Sequence, residues 1–568
     1  MDMPGVISRM ISMRSSPFWH HYVPLCLLLT MVSAFFLLDA VLSLRGVGST
    51  DALLPLAKAW TFWPAQLLFP HAGLVTAETV SRREATLPNF LALSWQEGFW
   101  LFGSFALVFL TYLLALARLP GQVSHRFILT STLILGGLCV LIPVLTSQDL
   151  FLYIGYARMA VLYHLNPLTT PPTAIRTDPV YSHIYWVYQP SLYGPTWIGL
   201  TSTLQWLALL FGFQSPGTMV LLLRMLGLGL HLSSTQLIWK LSGRLQEMQD
   251  SISLRKRKLA VLAFAWNPLL LLESCVNAHS DILILCALLL ALWLLTCDTY
   301  ILRWSIPRAF LGAALLLALA SGVKLNMVLL VPGLLIYAWR NIPRMRILLA
   351  VGLLFLGMLL VLYVPFWQGW NMLRAVQANA STNLAVNSLP EVCIDLVQSV
   401  TRLFWHGSSA VIGLISERVF RILSIGLFVG AYSLLCWRAT VGWGRLQTPW
   451  QLIQWMVAVW WCYCALGSPW FWPWYGVIFF GLIALVASVD LKHSSDSRLV
   501  RYLAYPRATA LFTFCLLTLP CFFAWGPLIS TIPGLPGFHW AYLRGLWIWL
   551  VPLLALPKRS SLKGTWHR

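Results

Sequence analysis

The feature that most limits the fold of this chain is a series of long apolar runs separated by short loops. Runs at about 18–44, 96–117 and 127–148 are each long enough to cross a hydrocarbon core of roughly 30 Å, and similar runs recur between 258 and 556. Only 10% of the residues are charged, whereas a soluble domain carries roughly a quarter. The sequence therefore predicts an all-α, polytopic membrane protein with about fourteen spans in one domain, residues 1–568.

Basic residues indicate how the chain is oriented. Arg9 and Arg14 precede the first apolar run, and the tetrad 255–258 is entirely basic. Because cytoplasmic loops are enriched in Lys and Arg, both termini are predicted to be cytoplasmic. The membrane is predicted to be the plasma membrane. The net charge of +20 is assigned to basic residues in these short loops, where they meet anionic lipid headgroups. No nucleic-acid partner is therefore predicted.

The same topology divides the polar loops between the two faces. It requires that one apolar stretch between Asp149 and the basic tetrad does not cross, and 194–213, with its Pro, Thr, Ser and Gln, is predicted to be an interfacial, juxtamembrane helix. Residues 149–218 then form an extracytoplasmic catalytic loop, and 366–417 form a second large outward loop. A loop at 45–95 also faces outward, and it holds three acids that could share acid–base work: Asp51, Glu78 and Glu84.

The first candidate site follows the third apolar run, in the stretch TSQDLFLYIGYARMAVLYHLNPL. Asp149 begins it at the predicted outer surface, where a carboxylate can take a proton from a sugar hydroxyl as a general base. The alternative is that Asp149 only caps the next helix. The substrate-binding candidates along this loop are Tyr153, Arg158, Asn166 and Tyr193.

The second candidate site is WNPLLLLESCVNAHSDILIL, residues 266–285, where polar residues interrupt two apolar helices at the same membrane face. Ionisable groups at such depths are costly unless they face a cavity or a partner. Asn277, His279 and Asp281 are predicted to bind substrate, with His279 donating to a phosphate and Asp281 orienting it. The alternative is a satisfied polar kink in which Asp281 is a helix N-cap.

Lys324 is the third candidate, in LALASGVKLNMVLLVPGLL. The apolar arms on either side are short for full spans, which places the turn with Lys324 below the outer surface. An ammonium group buried there needs an anion, and a lipid-linked phosphate is one. A snorkelling lysine is the alternative.

The fourth candidate is the aromatic turn GSPWFWPWYG, residues 467–476. Aromatic residues at this position are typical of a membrane-interface belt, and Trp470 and Trp472 are assigned to it. Aromatic faces also stack on the C–H surfaces of sugars, so Trp474 and Tyr475 are predicted to contact the ligand.

Motifs for soluble cofactors are missing from the sequence. No Gly-rich phosphate loop appears in a strand–helix context, so a soluble sugar nucleotide is not the predicted donor. The Cys residues have no metal-type spacing, and no required cofactor is predicted, although a divalent metal is left open.

Four motifs occur in one order: Ser-Gln-Asp with Asn-Pro, Tyr-Gly-Pro, Asn-Pro-Leu with Asn-Ala-His-Ser-Asp, and Val-Lys-Leu. This order resembles the GT-C superfamily of integral-membrane glycosyltransferases, and most closely the polyprenol-phosphate-mannose-dependent α-1,6-mannosyltransferases of bacterial envelopes. The resemblance covers about residues 127–340 well.

The resemblance implies transfer of a hexose, mannose in the first place, from a polyprenyl-phosphate carrier to an envelope glycan or lipid-glycan acceptor. It implies inversion at the anomeric carbon, an extracytoplasmic active site and Asp149 as the general base. The motif matches are Asn277, His279, Asp281 and Lys324.

Two other functional classes fit the same composition. A transporter or flippase of lipid-linked glycans also needs many helices and intramembrane charges, but no internal repeat is visible and the polar loops favour one face. A glycan ligase or polymerase is the closest enzymatic alternative.

Overall fold

The computed structural model describes eleven parts of the chain, and those parts are helical without β-strands. The described residues are 17–43, 67, 95–142, 147–248, 253–296, 306–372, 385–404, 409–441, 446–489, 498–522 and 541–555. The prediction of an all-α fold is confirmed for them. Asp51, Glu78 and Glu84, which were candidates for acid–base work, lie outside the described residues, as does most of the loop 45–95.

The first half of the chain forms nine helices within the described residues, and it includes every motif around Asp149 and His279. In order, α1 to α9 are Pro17–Ser43, Trp95–Arg118, His125–Leu141, Asp149–Val161, Pro195–Leu210, Pro216–Glu247, Leu254–Ala265, Pro268–Leu271 and Asp281–Thr296. Helix α5 corresponds to the predicted interfacial helix, and it packs against α4. The prediction of a helix there is therefore confirmed, while its depth in a membrane stays a prediction.

The second half contributes ten more helices within the described residues. In order, α10 to α19 are Ile306–Val323, Val331–Asn341, Met345–Tyr363, Leu389–Phe404, Ser409–Thr440, Pro449–Cys462, Gly476–Ala487, Arg498–Leu503, Pro506–Leu517 and Ala541–Trp549. Two 3₁₀ turns matter for the site, Leu325–Leu330 after α10 and Pro473–Tyr475 before α16. Each of them follows a break in an apolar helix.

Fewer helices are long enough to cross a membrane than the apolar runs predict. Five helices in the described residues have the length and composition, or six if the bent pair α7–α8 counts as one span. Other apolar helices, such as Asp281–Thr296 and Pro506–Leu517, have between 10 and 17 residues, whereas a full span takes roughly 20. The protein is thus an apolar, helical membrane protein, but about fourteen spans are not confirmed, because hydropathy does not reveal where an apolar run breaks.

The most informative break lies between α7 and α8. Pro268 cannot donate a backbone hydrogen bond, and the two pieces meet at an angle of 45°. Asn267 caps α8, since its Oδ1 accepts a hydrogen bond from the backbone N–H of Leu269 at 3.1 Å. A π-helical turn, Leu272–Val276, then leads to Asn277. Such turns recur at functional sites because they re-aim the side chains that follow.

One face of α6 holds this broken helix in place. The buried Arg224 donates from Nε to the carbonyl of Val276 at 2.7 Å and from Nη1 to the carbonyl of Val140 at 2.8 Å. His231, two turns further along, has Nε2 3.1 Å from the carbonyl of Ala265. Helix breaks free backbone carbonyls, and these side chains satisfy them. Arg224 thereby connects the ends of α3 and of the π turn, which precede Asp149 and Asn277.

Gly227, on the same face of α6, lies so close to the π turn that we expect no side chain to fit there. A Cβ at this position would lie 1.9 Å from the carbonyl oxygen of Ser274, a backbone atom that cannot rotate away. Gly227→Ala is expected to lower the free energy of unfolding by about 1–3 kcal/mol, the usual cost of overpacking. Thermal unfolding of the purified protein in detergent measures it.

The matched control for that variant is Gly229→Ala, two residues further along the helix. No atom lies within 4 Å of a Cβ built there, and alanine is the better helix former. We expect Gly229→Ala to be neutral or slightly stabilising. Equal melting temperatures for the two variants would contradict the close contact at Gly227.

Candidate active site

Side chains from four distant segments meet in one cluster. Helix α4 supplies Asp149 and Tyr153, the loop before α5 supplies Tyr193, and the junction between the π turn and α9 supplies His279. Lys324, at the end of α10, lies beside Tyr193, with 5.9 Å between the ammonium nitrogen and the centre of the ring. Residues up to 175 positions apart in sequence thus form one cluster.

Asp149 is the first residue of α4, and its carboxylate is engaged by a tyrosine. Tyr193 donates from its hydroxyl to Oδ2 of Asp149 at 2.7 Å. Burial raises the pKa of Asp149 above its ordinary value near 3.8, while the hydrogen bonds from Tyr193 and Ser147 and the charge of Lys324 act in the opposite direction. Two competing effects therefore act on a partly buried carboxylate, as in many general bases.

The hydroxyl of Tyr153 links this carboxylate to the second motif. It lies 3.1 Å from Nδ1 of His279, and its ring packs edge-on against that of Tyr193, with 4.7 Å between centres. Asp149 and His279 are therefore connected through Tyr193 and Tyr153, whose rings pack on each other.

His279 is enclosed by a carboxylate on one side and an indole on the other. Its Nε2 lies 3.2 Å from Oε2 of Glu273, and its ring stacks on Trp474 with 4.1 Å between centres. Asn277 donates from Nδ2 to the same Glu273 oxygen at 2.9 Å. Burial, and secondarily the charge of Lys324, hold the pKa of His279 well below its ordinary value near 6.5, which favours the neutral imidazole.

The ammonium group of Lys324 is paired within the site. It lies 2.7 Å from Oδ2 of Asp281, which is the first residue of α9 and is fully buried. The centre of the Tyr475 ring lies 4.9 Å from the same nitrogen, on the aromatic turn. This pairing holds Lys324 inside the cluster, unlike a lysine that snorkels to the surface.

Two of the predicted substrate-binding residues do not lie in this cluster of contacts. Arg158 donates from Nε to both oxygens of Asp178 at 2.9 and 2.8 Å and from Nη1 to the carbonyl of Gln214 at 3.0 Å. Asn166 donates to the carbonyl of Phe366 at 2.8 Å and accepts from the N–H of Leu168 at 3.1 Å. Both side chains bind other parts of the protein in these contacts, which brace the loop after α4.

Glu273 is the residue that the sequence-based site set omits. It is fully buried and contacts Asn277 and His279. Its signal was an acidic residue inside the run LLLLESCV, four positions before Asn277 on a helical face.

No three His, Cys, Asp or Glu side chains in the described segments are arranged to hold a metal ion.

Replacing Tyr193 by phenylalanine is expected to move the pH dependence of activity. Because Tyr193 donates to Asp149 and so lowers the pKa of that carboxyl, its removal raises the pKa further above 3.8. A base must be ionised to act, so activity should be lost at a higher pH in Tyr193→Phe than in the wild type as the pH falls. Rate–pH profiles of the two proteins measure this. A profile that moves to lower pH, or not at all, would contradict the role of this hydrogen bond.

Comparison with known proteins gives a match for this region. Residues 72–340 match the family described as α-(1→6)-mannopyranosyltransferase, N-terminal domain, over a little under half of the chain. No curated protein matches the chain. The matched segment carries Asp149, His279, Asp281 and Lys324, whereas Trp474 lies beyond it. The match confirms the resemblance predicted from the four motifs, and it supports a glycosyltransferase similar to the GT-C mannosyltransferases.

Proposed function

We propose that the protein transfers a hexose, mannose in the first place, from a polyprenyl-phosphate carrier to a hydroxyl of a glycan or lipid-glycan acceptor outside the cytoplasmic membrane. The observation that carries the proposal is the pair of opposite functional groups in one cluster. Tyr193 binds the carboxylate of Asp149 through its hydroxyl and lies beside the ammonium group of Lys324 through its ring. A base and a cation are the two groups that such a transfer requires.

The proposed reaction is a single displacement with inversion. The acceptor oxygen forms a bond to the anomeric carbon, its proton passes to Asp149, and the bond from that carbon to the phosphate oxygen breaks. The electron pair of the broken bond stays on the departing phosphate. Lys324 stabilises the negative charge that develops there, and Asp281 holds Lys324 in position at 2.7 Å.

The neutral His279 has a different role in the proposal. A neutral imidazole adds no positive charge near Asp149, so the base keeps its proton affinity. Its ring, held between Trp474 and Glu273, fixes the hydroxyl of Tyr153, whose ring in turn packs on Tyr193, the residue that binds the base. Because Arg158 is bound to Asp178, the phosphate is assigned to Lys324. The apolar helices around the site accommodate the prenyl chain.

Sugar transfer by the purified full-length protein in nanodiscs tests the proposal. A panel of radiolabelled polyprenyl-phosphate mannose, glucose and arabinose is offered with a short mannan acceptor, and a soluble sugar nucleotide serves as the control donor. We expect transfer from one lipid-linked donor, none from the nucleotide, and a product with the opposite anomeric configuration to the donor.

Two results would overturn the proposal. Transfer from the nucleotide alone would show that the donor is not a lipid-linked sugar. If folded protein transfers sugar from none of the donors, the protein is not the proposed enzyme, and a liposome assay of lipid-linked glycan movement would then test whether it is a transporter.

A further inference from the structure

The C-terminal part of the chain, beyond the segment that matches the mannosyltransferase family, contains a buried ion pair that no role has yet explained. Glu391 in α13 and Arg544 in α19 lie 3.0 Å apart, with side chains 9% and 7% exposed. The second oxygen of Glu391 accepts a hydrogen bond from the backbone N–H of Asn387. A single carboxylate thus joins two helices to the segment that precedes α13.

That segment has a backbone conformation that needs support. Asn387 has a φ of +53°, a left-handed conformation that is uncommon for residues other than glycine. Its backbone groups are both used, because its N–H donates to Glu391 and its carbonyl accepts from Nε1 of Trp549 at 2.9 Å. Helix α19 therefore reaches Asn387 twice, once through the Arg544–Glu391 pair and once through Trp549.

The next residue back, Val386, pairs with the aromatic turn. Its N–H donates to the carbonyl of Pro469 at 2.8 Å, and its carbonyl accepts from the N–H of Phe471 at 3.0 Å. These two bonds flank Trp470. The ring of Trp549 also packs on Phe471, with 4.9 Å between centres. The turn is thus held by the segment that precedes α13 and by α19.

From this turn the contacts continue to the catalytic cluster. Trp470 packs on Trp472, and Trp472 stacks parallel to Trp474 with 5.2 Å between centres. Trp474 in turn stacks on His279, and Tyr475 lies against Lys324. Any displacement of the turn therefore displaces the rings that pack on both His279 and Lys324.

We infer that Glu391 and Arg544 are positioning residues of the active site, which act through Asn387, Val386 and the aromatic turn on His279 and Lys324. The inference rests on the proposed function for its kinetic consequences, while its structural content does not depend on the sugar. A buried ion pair adds little net stability compared with apolar side chains of similar volume. The pair instead fixes the positions of two elements, because the Glu391 carboxylate accepts hydrogen bonds from Arg544 in α19 and from the N–H of Asn387.

Glu391→Gln is the sharpest test, because glutamine keeps the shape but has only one acceptor atom. Either Arg544 or the N–H of Asn387 then faces an amide NH₂ and loses its bond. We expect kcat to fall by about ten- to hundredfold, the scale on which small misplacements of catalytic groups act. The KM for the donor is expected to stay close to that of the wild type, while the melting temperature falls because one partner of a buried ion pair is lost.

A second measurement reports on geometry without catalysis. Modification of histidines by diethyl pyrocarbonate, resolved by peptide mass spectrometry, follows the access of reagent to His279, which is fully buried in the structure. We expect labelling of His279 to rise severalfold in Glu391→Gln and in Arg544→Met, with no further rise in the double variant. The control is Glu417→Gln, which removes the i,i+4 pair with Arg421 on α14 and should change neither readout.

The outcomes separate this inference from the proposed function. Unchanged kcat and unchanged labelling in Glu391→Gln overturn the inference, and so does a loss of thermal stability with His279 still protected, which is the result of a merely structural pair. If the wild type transfers no sugar, the proposed function fails, and the labelling alone decides whether the pair positions the turn.

Discussion

Asp149→Asn is expected to reduce sugar transfer by about a hundred- to ten-thousandfold, the range over which general bases contribute. Asparagine keeps the size of the side chain and can still accept the hydrogen bond from Tyr193, but it cannot take a proton. The donor should bind with unchanged affinity, because in the proposed reaction the carboxylate acts on the acceptor. Single-turnover transfer from the lipid-linked donor, measured beside donor binding, checks both parts of this expectation.

The control for this variant is Asp149→Glu, which retains a carboxylate on a side chain longer by one methylene. Partial activity is expected, because the base is present but displaced. An Asp149→Asn protein that transfers sugar at the wild-type rate would show that the carboxylate is only a helix-end residue.

Lys324→Met is expected to lower kcat by about a hundred- to a thousandfold, as the loss of one group that stabilises developing charge usually does. Methionine fills a similar volume without the charge. The variant has a second defect, however, because Asp281 would be left as a fully buried carboxylate without its partner at 2.7 Å. Breaking a buried pair in this way costs about 3–5 kcal/mol of stability.

The double variant Lys324→Met/Asp281→Asn separates the two effects. Removing the carboxylate is expected to restore the melting temperature toward that of the wild type, whereas transfer should remain as low as in the single variant. Thermal unfolding and kcat of the three proteins give the comparison. Recovery of transfer together with stability would assign Lys324 a structural role only.

The site residues that lie in the sequence motifs could be predicted, because each of them is recognised from its immediate neighbours in the chain. A carboxylate after an apolar run, polar residues between Pro268 and α9, and a lysine between two short apolar arms are each costly in lipid. Asp149, His279, Asp281 and Lys324 do lie in one network of contacts. Their cost in an apolar environment follows from the sequence alone.

Residues whose partners are distant could not be assigned in the same way. Arg158 was predicted to bind substrate, but Asp178, twenty positions along a proline-containing loop, binds it. Glu273 stands out in the sequence as an acidic residue in an apolar run, but only its contacts with Asn277 and His279 show what it binds. The choice among possible partners of a charged group depends on loop paths, which no local pattern encodes.

The span count shows the same division. Apolar composition determined that the chain is helical and belongs in a membrane, because unpaired backbone groups are not tolerated in lipid. Only the tertiary structure decided where the helices break, since Pro268 and the π turn Leu272–Val276 are stabilised by Arg224 and His231 from α6.

By itself, therefore, the sequence determined the fold class, the membrane environment and the types of group available for chemistry, because these follow from transfer free energies of single residues. The tertiary structure decided which carboxylate meets which cation, and it brought the turn at Trp474 onto His279 across 195 positions. The physical reason is that hydrogen bonds and ion pairs are short-ranged and directional. They depend on how distant helices pack, which is a property of the whole chain.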